Sequence, residues 1–307
     1  MRVTVTGASG LIGGALLPAL LARGHVVTRL VRGVSRSRGE VIWDPTHGRL
    51  DPAVLADSDA LIHLSGESLS AGRWTRRRKR AIRESRVAST RLLAETLAMA
   101  PRVPSVWVVA SAVGFYGSRG EETVNEASAP GRGFLADVVR EWEAACEAAR
   151  GTGIRIVRVR IGVVLTPVGG ALAKMLPAFR IGAGGPIGDG RQWMSWITLD
   201  DLCGVIMRSL VDETLVGPVN AVAPESVRNR EFARTLGRVL GRPALVRIPA
   251  VLMRLVFGKM AVETVLSSLR VDPAELRRRG HVFQHETLKA AFVGMLGGSR
   301  MPRNPSL

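Results

Sequence analysis

The chain has 307 residues, of which 46% are hydrophobic and 22% are charged, a composition that is ordinary for a globular protein with a substantial core. Its net charge of +17 comes from 43 lysines and arginines against 26 acidic residues. The cations are spread over nearly every segment, which favours a compositional bias over a dedicated surface for nucleic acid or membrane. Cys146 and Cys203 are too few and too far apart for a disulfide framework or a metal site, so we predict neither.

Residues 2–6 form the first predicted element, a run of β-branched side chains typical of a buried strand. Glycines follow at Gly7, Gly10 and Gly13, and an apolar helix is predicted over residues 11–23. This order of strand, glycine turn and helix is the context of a dinucleotide-binding loop, whose glycines allow a tight turn and a close approach to a pyrophosphate. The free N–H groups at the helix N-terminus favour the phosphates. We therefore predict a dinucleotide site at Gly7, Ser9, Gly10, Leu11, Ile12 and Gly13.

The same stretch has a second interpretation, because residues 3–22 carry no charge and could form a signal peptide or a membrane span. Glycines at short intervals, two threonines and Pro18 dilute that apolar run. A signal peptide has no need for glycines at three-residue spacing. We therefore expect a soluble, cytoplasmic protein without a membrane partner.

The second strand is predicted at residues 26–31 and should end beside the adenosine ribose of a bound dinucleotide. An NAD site places a carboxylate there, but this chain has no acidic residue before Glu40. Arg32 stands at the carboxyl end of the strand, where a guanidinium can hold a 2′-phosphate. We predict NADP, with NADPH preferred over NADH. The alternative is that the arginines in this region belong to the general excess of arginine.

Three more strands are predicted at residues 59–64, 105–110 and 155–160, with continuous apolar runs such as Ala60-Leu61-Ile62 and Val106-Trp107-Val108-Val109. Helices are predicted at 75–99 and 133–149. Continuous runs indicate strands buried on both faces, as in a parallel sheet covered by helices. The fold class is therefore α/β, a Rossmann-like doubly wound parallel sheet. We assign the NADP-binding domain to residues 1–165, with later strands able to join its sheet.

The densest arginine run lies at residues 73–86, on the predicted helix 75–99. Its other face carries the apolar side chains of Ile82, Leu92, Leu93 and Leu97, so a solvated helix face explains the run. Only Trp74 accompanies the arginines, whereas a single-strand binder interleaves several aromatic residues with its cations. We therefore predict no specific nucleic-acid partner.

The rhythm of strands and helices changes after about residue 162. The glycine-rich residues 182–190 predict a loop, and a helix is predicted to begin at Asp200. Further helices are predicted at residues 229–241, 249–257 and 260–270. We interpret residues 166–295 as a smaller, C-terminal substrate-side domain and residues 296–307 as a flexible tail.

Stretches beyond the glycine loop carry a more specific pattern: Trp43-Asp44-Pro45, His63-Leu64-Ser65-Gly66-Glu67, Arg73-Trp74-Thr75, Ser111-Ala112-Val113-Gly114-Phe115-Tyr116-Gly117, Arg160-Ile161-Gly162-Val163-Val164-Leu165, Gly184-Gly185-Pro186-Ile187-Gly188-Asp189-Gly190-Arg191-Gln192 and Trp196-Ile197-Thr198-Leu199-Asp200-Asp201. Together with the loop they resemble the short-chain dehydrogenase/reductase superfamily in its extended or atypical branch. More closely, the chain resembles the epimerase family proteins of the NAD-dependent epimerase/dehydratase type, which have a distinctive C-terminal domain.

The resemblance implies roles for the positions that match. Residues 7–13 would cradle the pyrophosphate, Asp44 would lie near the adenine, and Ser111 would hydrogen-bond a substrate oxygen beside the cofactor. Three further residues would lie along the cofactor: Leu64, Ser65 and Gly66. A homodimer through two helices of the Rossmann-like domain is possible by the same resemblance, although the charges over residues 75–91 oppose it.

One departure from the superfamily affects the chemistry. Its members use a Tyr-x-x-x-Lys pair, in which the lysine lowers the tyrosine pKa and holds the nicotinamide ribose. Tyr116 is the single tyrosine of this chain, and Gly120 stands four residues after it. The helix at 133–149 would carry the pair, but it offers Phe134 and Val138, neither of which can move a proton.

The remaining catalytic candidates each have a structural alternative. Tyr116 is a substitute acid or an aromatic that covers the site, and Lys174 is the cation that assists it or a surface lysine. His63 is an acid near neutral pH or a hydrogen-bonded structural histidine. One function is thus an NADP-dependent oxidoreductase or sugar-nucleotide-type epimerase acting on an unidentified small molecule, with catalysis by Ser111, Tyr116 and Lys174. The other is a non-catalytic NADP(H)-binding sensor or scaffold, which the missing pair favours.

Overall fold

The computed structural model describes residues 1–297. Its strands are β1 (Arg2–Thr6), β2 (Val26–Val31), β3 (Glu40–Ile42), β4 (Ala60–His63), β5 (Val106–Ala112), β6 (Thr123–Val124), β7 (Arg155–Ile161), β8 (Val163–Leu165), β9 (Trp193–Met194), β10 (Trp196–Thr198), β11 (Gly217–Ala221), β12 (Val227–Arg228) and β13 (Arg270–Val271). Its α-helices are α1 (Leu11–Ala22), α2 (Pro52–Ala56), α3 (Arg76–Met99), α4 (Phe134–Ala144), α5 (Gly170–Arg180), α6 (Leu199–Val211), α7 (Asn229–Leu240), α8 (Ala250–Phe257), α9 (Lys259–Glu263), α10 (Ala274–Arg278) and α11 (Leu288–Leu296). Short 3₁₀ turns occupy Val113–Tyr116 and Glu147–Ala149.

A seven-stranded sheet forms the centre of the molecule, in the order β11-β7-β5-β4-β1-β2-β3. Every pairing in it is parallel. Every residue of β4 is buried, and so is nearly all of β5, because helices cover both faces of these central strands. The doubly wound α/β fold expected from the continuous apolar runs is confirmed, and all five strands predicted in the first half of the chain are present.

The two faces of the sheet carry separate cores. Leu16 and Leu20 of α1 pack with Leu202 and Ile206 of α6 on one face. Leu93 of α3 packs with the residues of the other face. Since β1 leads to β2 on one side and β4 lies on its other side, the strand order reverses between β1 and β4. An open α/β sheet binds its ligand at the carboxyl ends of the strands beside such a reversal.

The second half of the chain adds a strand to the central sheet and also forms a hydrophobic core of its own. Strand β11 is the seventh strand of the main sheet, pairing with β7 from Gly217 to Ala221. A further core joins helices α5, α7 and α11, with Trp196, Phe232 and Phe292 fully buried in it. Residues 217–221, which we assigned to the C-terminal region, therefore form a strand of the main sheet.

The helix predicted over residues 260–270 is wrong beyond Glu263, where α9 ends. The following residues bond to other loops instead of continuing the helix. Ser268 donates its hydroxyl to the Gly120 carbonyl at 2.7 Å, and Leu269 N–H donates to Trp193 O at 3.1 Å. Serine side chains compete in this way with helical backbone bonds.

The predicted tail at residues 296–307 falls mostly outside the described residues. Leu296 is the last residue of α11, and Gly297 is the C-cap of that helix. Residues 298–307 lie outside the described residues. Within residues 1–297, no helix is both long enough and apolar enough to cross a bilayer.

Candidate cofactor and substrate site

The glycine loop lies at the carboxyl end of β1, at the reversal of strand order. Gly7 has a φ of 68°, and a Cβ there would stand 2.7 Å from the carbonyl carbon of Leu64. A Cβ at Gly13 would stand 2.7 Å from Ala8 Cα and closer still to the Gly7 oxygen. A Cβ at Gly10 would press on the Gly7 oxygen at 3.2 Å. Larger residues cannot occupy the first and last of these positions without moving backbone, so these two glycines are required for the tight turn from β1 into α1.

Helix α1 starts inside this loop. Gly10 is its N-cap and has no side chain to cap the helix, so the first helical N–H groups remain free for a ligand. Ser9, Gly10 and Leu11 are exposed, and Ile12 is half-buried. An uncapped helix N-terminus with small, exposed neighbours favours an anion such as a pyrophosphate.

The end of β4 adjoins the same loop. Leu64 N–H donates to the backbone oxygen of Thr6 at 3.3 Å and to its hydroxyl oxygen at 3.2 Å. Ser65 and Gly66 follow, and Gly66 is exposed. The residues expected along the cofactor therefore lie beside the residues expected around its pyrophosphate.

A cavity of about 490 Å³ opens where β2 ends, and Arg32, Asp44 and Arg49 are among its lining residues. The Asp44 carboxylate accepts hydrogen bonds from Thr46 N and from both the backbone and the ring of His47, which lowers the pKa of Asp44. By contrast, the guanidinium groups of Arg32 and Arg49 make no hydrogen bond or ion pair within residues 1–297. The cavity thus offers two guanidinium groups without a hydrogen-bond partner, although the carboxylates of Asp44 and Asp51 line it as well.

Arg29 is not available for the same purpose. Its guanidinium donates to Ser37 Oγ at 2.6 Å and lies 3.2 Å from a carboxylate oxygen of Glu40. Glu40 is the first acidic residue of the chain, and it pairs with the arginine of the second strand instead of facing the cavity. The arginine at the end of the strand, Arg32, is therefore the free one.

Ser111, Glu143 and Arg160 form a buried network near the carboxyl ends of β5 and β7. Arg160 donates to both carboxylate oxygens of Glu143, with Nε and Nη2 each at 2.8 Å. Ser111 donates its hydroxyl to Glu143 Oε1 at 2.6 Å. The three side chains are nearly inaccessible to solvent. Ser111 lies at the strand end where it was predicted, but its proton is directed into the protein.

Tyr116 belongs to the same network and is fully buried. Its hydroxyl donates to Asn220 Oδ1 at 2.8 Å and accepts from Arg160 Nη1 at 2.9 Å. Burial raises the pKa of Tyr116, and the neighbouring guanidinium opposes that rise only in part. The phenol is therefore a neutral group with both of its hydrogen bonds made inside the protein.

Lys174 lies on the exposed side of α5 and donates to Ser70 Oγ at 2.7 Å. The cation in contact with the Tyr116 hydroxyl is Arg160 instead. The structure thus brings Ser111 and Tyr116 into one network and places Lys174 in a contact with the loop after β4.

His63 ends β4 with both ring nitrogens engaged. Nδ1 is 2.6 Å from Thr6 Oγ1 and Nε2 is 3.2 Å from Ser89 Oγ. Burial, with the charge of Arg86 nearby, lowers the pKa of His63 to about 3. It is therefore the neutral, structural histidine of the two alternatives.

Helix α4 carries no acid–base pair toward the strand ends. A Cβ at Gly114, just after β5, would lie 3.6 Å from Leu135 Cβ and 3.9 Å from Val139 Cγ2. Phe134 packs on Trp74, and Val138 is buried. The residues that face the end of β5 at a four-residue spacing are thus Leu135 and Val139, one position later than predicted, and they too are apolar.

The arginine run on α3 is mostly a solvated face, as predicted, with Ile82, Leu93 and Leu97 buried behind it. Arg78 and Arg86 are exceptions, because both are half-buried. Arg78 donates to Glu67 Oε1 at 2.8 Å and to the Ser68 carbonyl, so it holds the loop that follows β4.

The fold and the loop define a Rossmann-type nucleotide-binding protein. Two sequence families match the chain: the NAD dependent epimerase/dehydratase family over residues 3–219, and a domain of unknown function, DUF1731, over residues 248–293. The first match spans most of the chain, which therefore belongs to the NAD dependent epimerase/dehydratase family, as its motifs indicated.

Similar proteins match almost end to end. Epimerase family protein Mb2239 of Mycobacterium bovis is 40% identical over 290 residues, which are 94% of this chain and 96% of that protein. Epimerase family protein SDR39U1 of Homo sapiens is 37% identical over 295 residues, or 95% and 98% of the two chains. A crystal structure of human SDR39U1 (isoform2) with NADPH superposes with a TM-score of 0.89 at 36% identity, covering 96% of this chain and 99% of that one.

Sequence reasoning missed several residues of this region: Arg49, Glu143, Arg160 and Asn220. One signal was available for Arg160, since a charged residue inside an apolar strand needs a partner. No signal in the sequence pairs it with Glu143. Arg49 lies in a loop, where neither periodicity nor a motif marks it.

Proposed function

We propose that the chain is an NADPH-binding member of its family, with the pyrophosphate held by residues 7–13 and the 2′-phosphate by Arg32. The observation that carries this proposal is the cavity at the end of β2, where the guanidinium groups of Arg32 and Arg49 have no partner within residues 1–297. A phosphate dianion supplies the bidentate acceptors that guanidinium groups favour. The NADPH found in the human SDR39U1 crystal structure supports the same cofactor here.

The glycine positions support the proposal independently of charge, because they allow the tight turn that a dinucleotide-binding loop requires. The space that a Cβ at Gly7 or Gly13 would fill is taken by backbone atoms of the loop and of Leu64. When bound, the cofactor would supply or accept a hydride. Within that arrangement the chain's own residues bind and orient it: Gly10, Leu11 and Ile12 at the pyrophosphate, and Asp44 near the adenine.

For the chemistry, our first candidate is an oxidoreductase or sugar-nucleotide-type epimerase acting on an unidentified small molecule. Ser111 supports it, because its hydroxyl oxygen lies at the end of β5 and can still accept a hydrogen bond while its proton is directed to Glu143. In this candidate Tyr116 keeps the acid role proposed for it, and Arg160, whose Nη1 donates to its hydroxyl at 2.9 Å, takes the place of Lys174 as the assisting cation.

The second candidate is a non-catalytic NADP(H)-binding sensor or scaffold. It is favoured by the neutral Tyr116, whose hydroxyl is already bonded to Asn220 and Arg160, and by the contact of Lys174 with Ser70. The two candidates differ in turnover, which is followed as NADPH oxidation at 340 nm with carbonyl substrates. With sugar nucleotides it is followed as chromatographic detection of the product epimer, because epimerisation leaves the redox state of the cofactor unchanged overall. Turnover that falls in Ser111→Ala and Tyr116→Phe supports the first, and tight NADPH binding without any turnover supports the second.

The cofactor proposal is tested by titrating the protein with NADPH and NADH and following the fluorescence of the bound nucleotide. We expect NADPH to bind more tightly, and Arg32→Ala to weaken NADPH about tenfold or more because a charge-assisted bidentate contact is lost. NADH binding should not change. Arg38→Ala is the control, since Arg38 is exposed in the same loop but does not line the cavity. Equal affinities of the wild-type protein for the two nucleotides would overturn the proposal, as would an Arg32→Ala variant that retains NADPH.

A further inference from the structure

Helix α8 exposes apolar side chains that no part of the proposed function uses. None of its eight residues is buried. Ala250 and Met253 are half-buried on one face, where Ala250 lies against Gly188. The other apolar residues of the helix are exposed: Val251, Leu252, Leu255, Val256 and Phe257. A helix at the surface of a globular protein ordinarily turns its apolar face to the core, whereas α8 turns most of it outward.

Four of these exposed side chains form one band along the helix, which we call the outer stripe: Val251, Leu252, Leu255 and Val256. Residues three and four positions apart are neighbours on a helix surface, so the stripe is continuous. The segment just before the helix adds exposed apolar surface, because Leu245 is 84% exposed and Val246 is exposed as well. Single exposed hydrophobic residues are normal, but a contiguous apolar patch marks a surface that contacts another molecule.

Cations accompany the outer stripe without any carboxylate in the same stretch of chain. Residues 241–262 contain no aspartate or glutamate. They contain four exposed cationic side chains: Arg242, Arg247, Arg254 and Lys259. On the helix, Arg254 lies between the half-buried face and the outer stripe, so its guanidinium flanks the apolar band.

These cations are not neutralised from elsewhere in the described part of the chain. Within residues 1–297, the side chains of Arg254 and Lys259 make no hydrogen bond and no ion pair. The carboxylates that border the region are engaged with backbone, since Glu263 accepts from Leu135 N–H at 2.8 Å and Asp189 accepts from Arg191 N–H at 2.9 Å. The apolar stripe is therefore bordered by positive charge that is free to meet an external anion.

Apolar side chains bordered by free cations specify an anionic lipid surface as the partner. An interfacial helix buries its apolar face at the boundary between headgroups and acyl chains, with cations beside that face for the anionic headgroups. A second copy of this chain would instead bring the four cations against their own counterparts, with no carboxylate of residues 241–262 to neutralise them. The charge thus disfavours self-association through α8 and favours a negatively charged partner.

We expected no membrane partner from the sequence, because the apolar run at residues 3–22 is diluted and the cations are spread over the chain. Neither observation concerns residues 241–262, and the sequence does not report that α8 faces outward. Contact with a bilayer surface also differs from crossing it, since a helix of eight residues is far too short to span the hydrocarbon core.

We propose that α8 docks this protein on anionic membrane surfaces, with the outer stripe in the lipid interface and Arg254 and Lys259 on the headgroup phosphates. Gly258 follows the helix, and a Cβ there would lie 3.8 Å from the guanidinium of Arg73, which belongs to the loop after β4. The docking face therefore adjoins the loop that follows β4, on the side of the molecule where the cofactor is proposed to bind.

The test is flotation of the full chain with vesicles of phosphatidylglycerol and phosphatidylcholine in equal amounts, and with vesicles of phosphatidylcholine alone. We expect strong binding to the first and much weaker binding to the second. Leu255→Glu should weaken binding to the anionic vesicles about tenfold or more, because it removes a leucine from the lipid interface and places a carboxylate there. Leu21→Glu is the matched control, with the same change in net charge at an exposed leucine near the far end of α1, and should bind within about twofold of wild type.

Arg254→Gln tests the charge separately. Removal of one cation at the lipid surface should weaken binding about fivefold, whereas Arg91→Gln, at an exposed arginine on α3, should leave it within about twofold. Absence of binding to the anionic vesicles would overturn the inference. Equal effects of Leu255→Glu and Leu21→Glu would do so as well, because net charge alone would then attract the protein. A dimer in solution that Leu255→Glu dissociates would also overturn it, by showing that a second copy covers the outer stripe.

Discussion

Tyr116 shares its hydroxyl between Asn220 and Arg160, and it stands at the carboxyl edge of the sheet where a catalytic acid would be useful. Its surroundings nevertheless favour the neutral phenol. Desolvation outweighs the nearby guanidinium, so the pKa of Tyr116 is raised above its ordinary value near 10. The Arg160 charge is instead neutralised by the bidentate pair with Glu143. The site therefore resembles a stabilised core network more than an acid prepared for proton transfer.

The raised pKa can be measured directly, because the chain has a single tyrosine. We expect the phenolate absorbance near 295 nm, taken as the difference between wild-type protein and Tyr116→Phe, to appear only above pH ~10 in the folded state. The stability that the buried phenol contributes is complete below the ordinary tyrosine pKa. It is lost as pH rises through the folded value, because the unfolded chain releases the proton first.

Two outcomes would contradict this assignment. One is a titration of the folded protein below pH ~10, which would mean that Arg160 dominates and would favour the catalytic candidate. The other is an unfolding free energy that does not fall between neutral pH and high pH faster in the wild-type protein than in Tyr116→Phe. The phenylalanine variant provides the reference because it keeps the ring in its apolar cluster and removes the proton.

At the scale of elements, the glycine loop is the unit on which cofactor binding depends. Gly13 and Gly14 are adjacent in α1, but their surroundings differ. A Cβ at Gly13 meets the loop backbone at 2.7 Å or less, whereas a Cβ at Gly14 meets nothing within 4 Å. The helix therefore needs glycine at the first position and only tolerates it at the second.

Gly13→Ala should displace the loop backbone and reduce NADPH affinity by about tenfold or more, because N–H groups that must converge on a pyrophosphate would be moved apart. Gly14→Ala should leave affinity unchanged and stabilise the protein by about 0.5–1 kcal/mol through helix propensity. Calorimetric titration and urea denaturation of both variants check these expectations. Comparable NADPH affinities in the two variants would mean that the close approach at Gly13 has no part in binding.

The elements were predictable to different extents, for physical reasons. Local periodicity was sufficient for the loop and for five of the seven strands of the main sheet, since each is encoded by adjacent residues, whereas β3 and β11 were not predicted. The contact of Tyr116 with Asn220 joins residues 104 positions apart, and no local pattern reports it. The burial of Arg86 could not be predicted from the sequence, because the residues that its guanidinium contacts, Gly66 and Trp142, are distant from it along the chain. The helix expected beyond Glu263 does not form because Ser268 and Leu269 hydrogen-bond to backbone carbonyls of other loops instead.

At the scale of the whole molecule, the C-terminal region is part of the main core. Leu276 of α10 is fully buried and, with Phe283, belongs to the same cluster as Val159 and Ile197. Asp201 of α6 also accepts hydrogen bonds from the backbone N–H groups of Gln284 and His285, at 2.6 and 3.2 Å. The region matched by DUF1731 therefore shares a hydrophobic core with the main sheet.

Leu276→Ala should consequently destabilise the entire chain, by about 2–5 kcal/mol for a buried leucine. We expect tryptophan fluorescence and far-UV circular dichroism to report one shared shift of the urea transition. Leu255→Ala is the control, because Leu255 is 68% exposed and its loss should change stability by less than about 0.5 kcal/mol. Two separate transitions, only one of them shifted, would show that the C-terminal region unfolds independently.

The central claim is that the carboxyl edge of this sheet binds NADPH, with the glycine loop at the end of β1 and Arg32 at the end of β2. The most direct measurement is a crystal structure of the chain with NADPH bound. Our account predicts the 2′-phosphate on Arg32, the pyrophosphate over the N–H groups of Gly10 to Ile12, and the rest of the nucleotide along Leu64, Ser65 and Gly66 at the end of β4. A 2′-phosphate turned away from Arg32 and toward solvent, or a nucleotide bound away from the glycine loop, would contradict it.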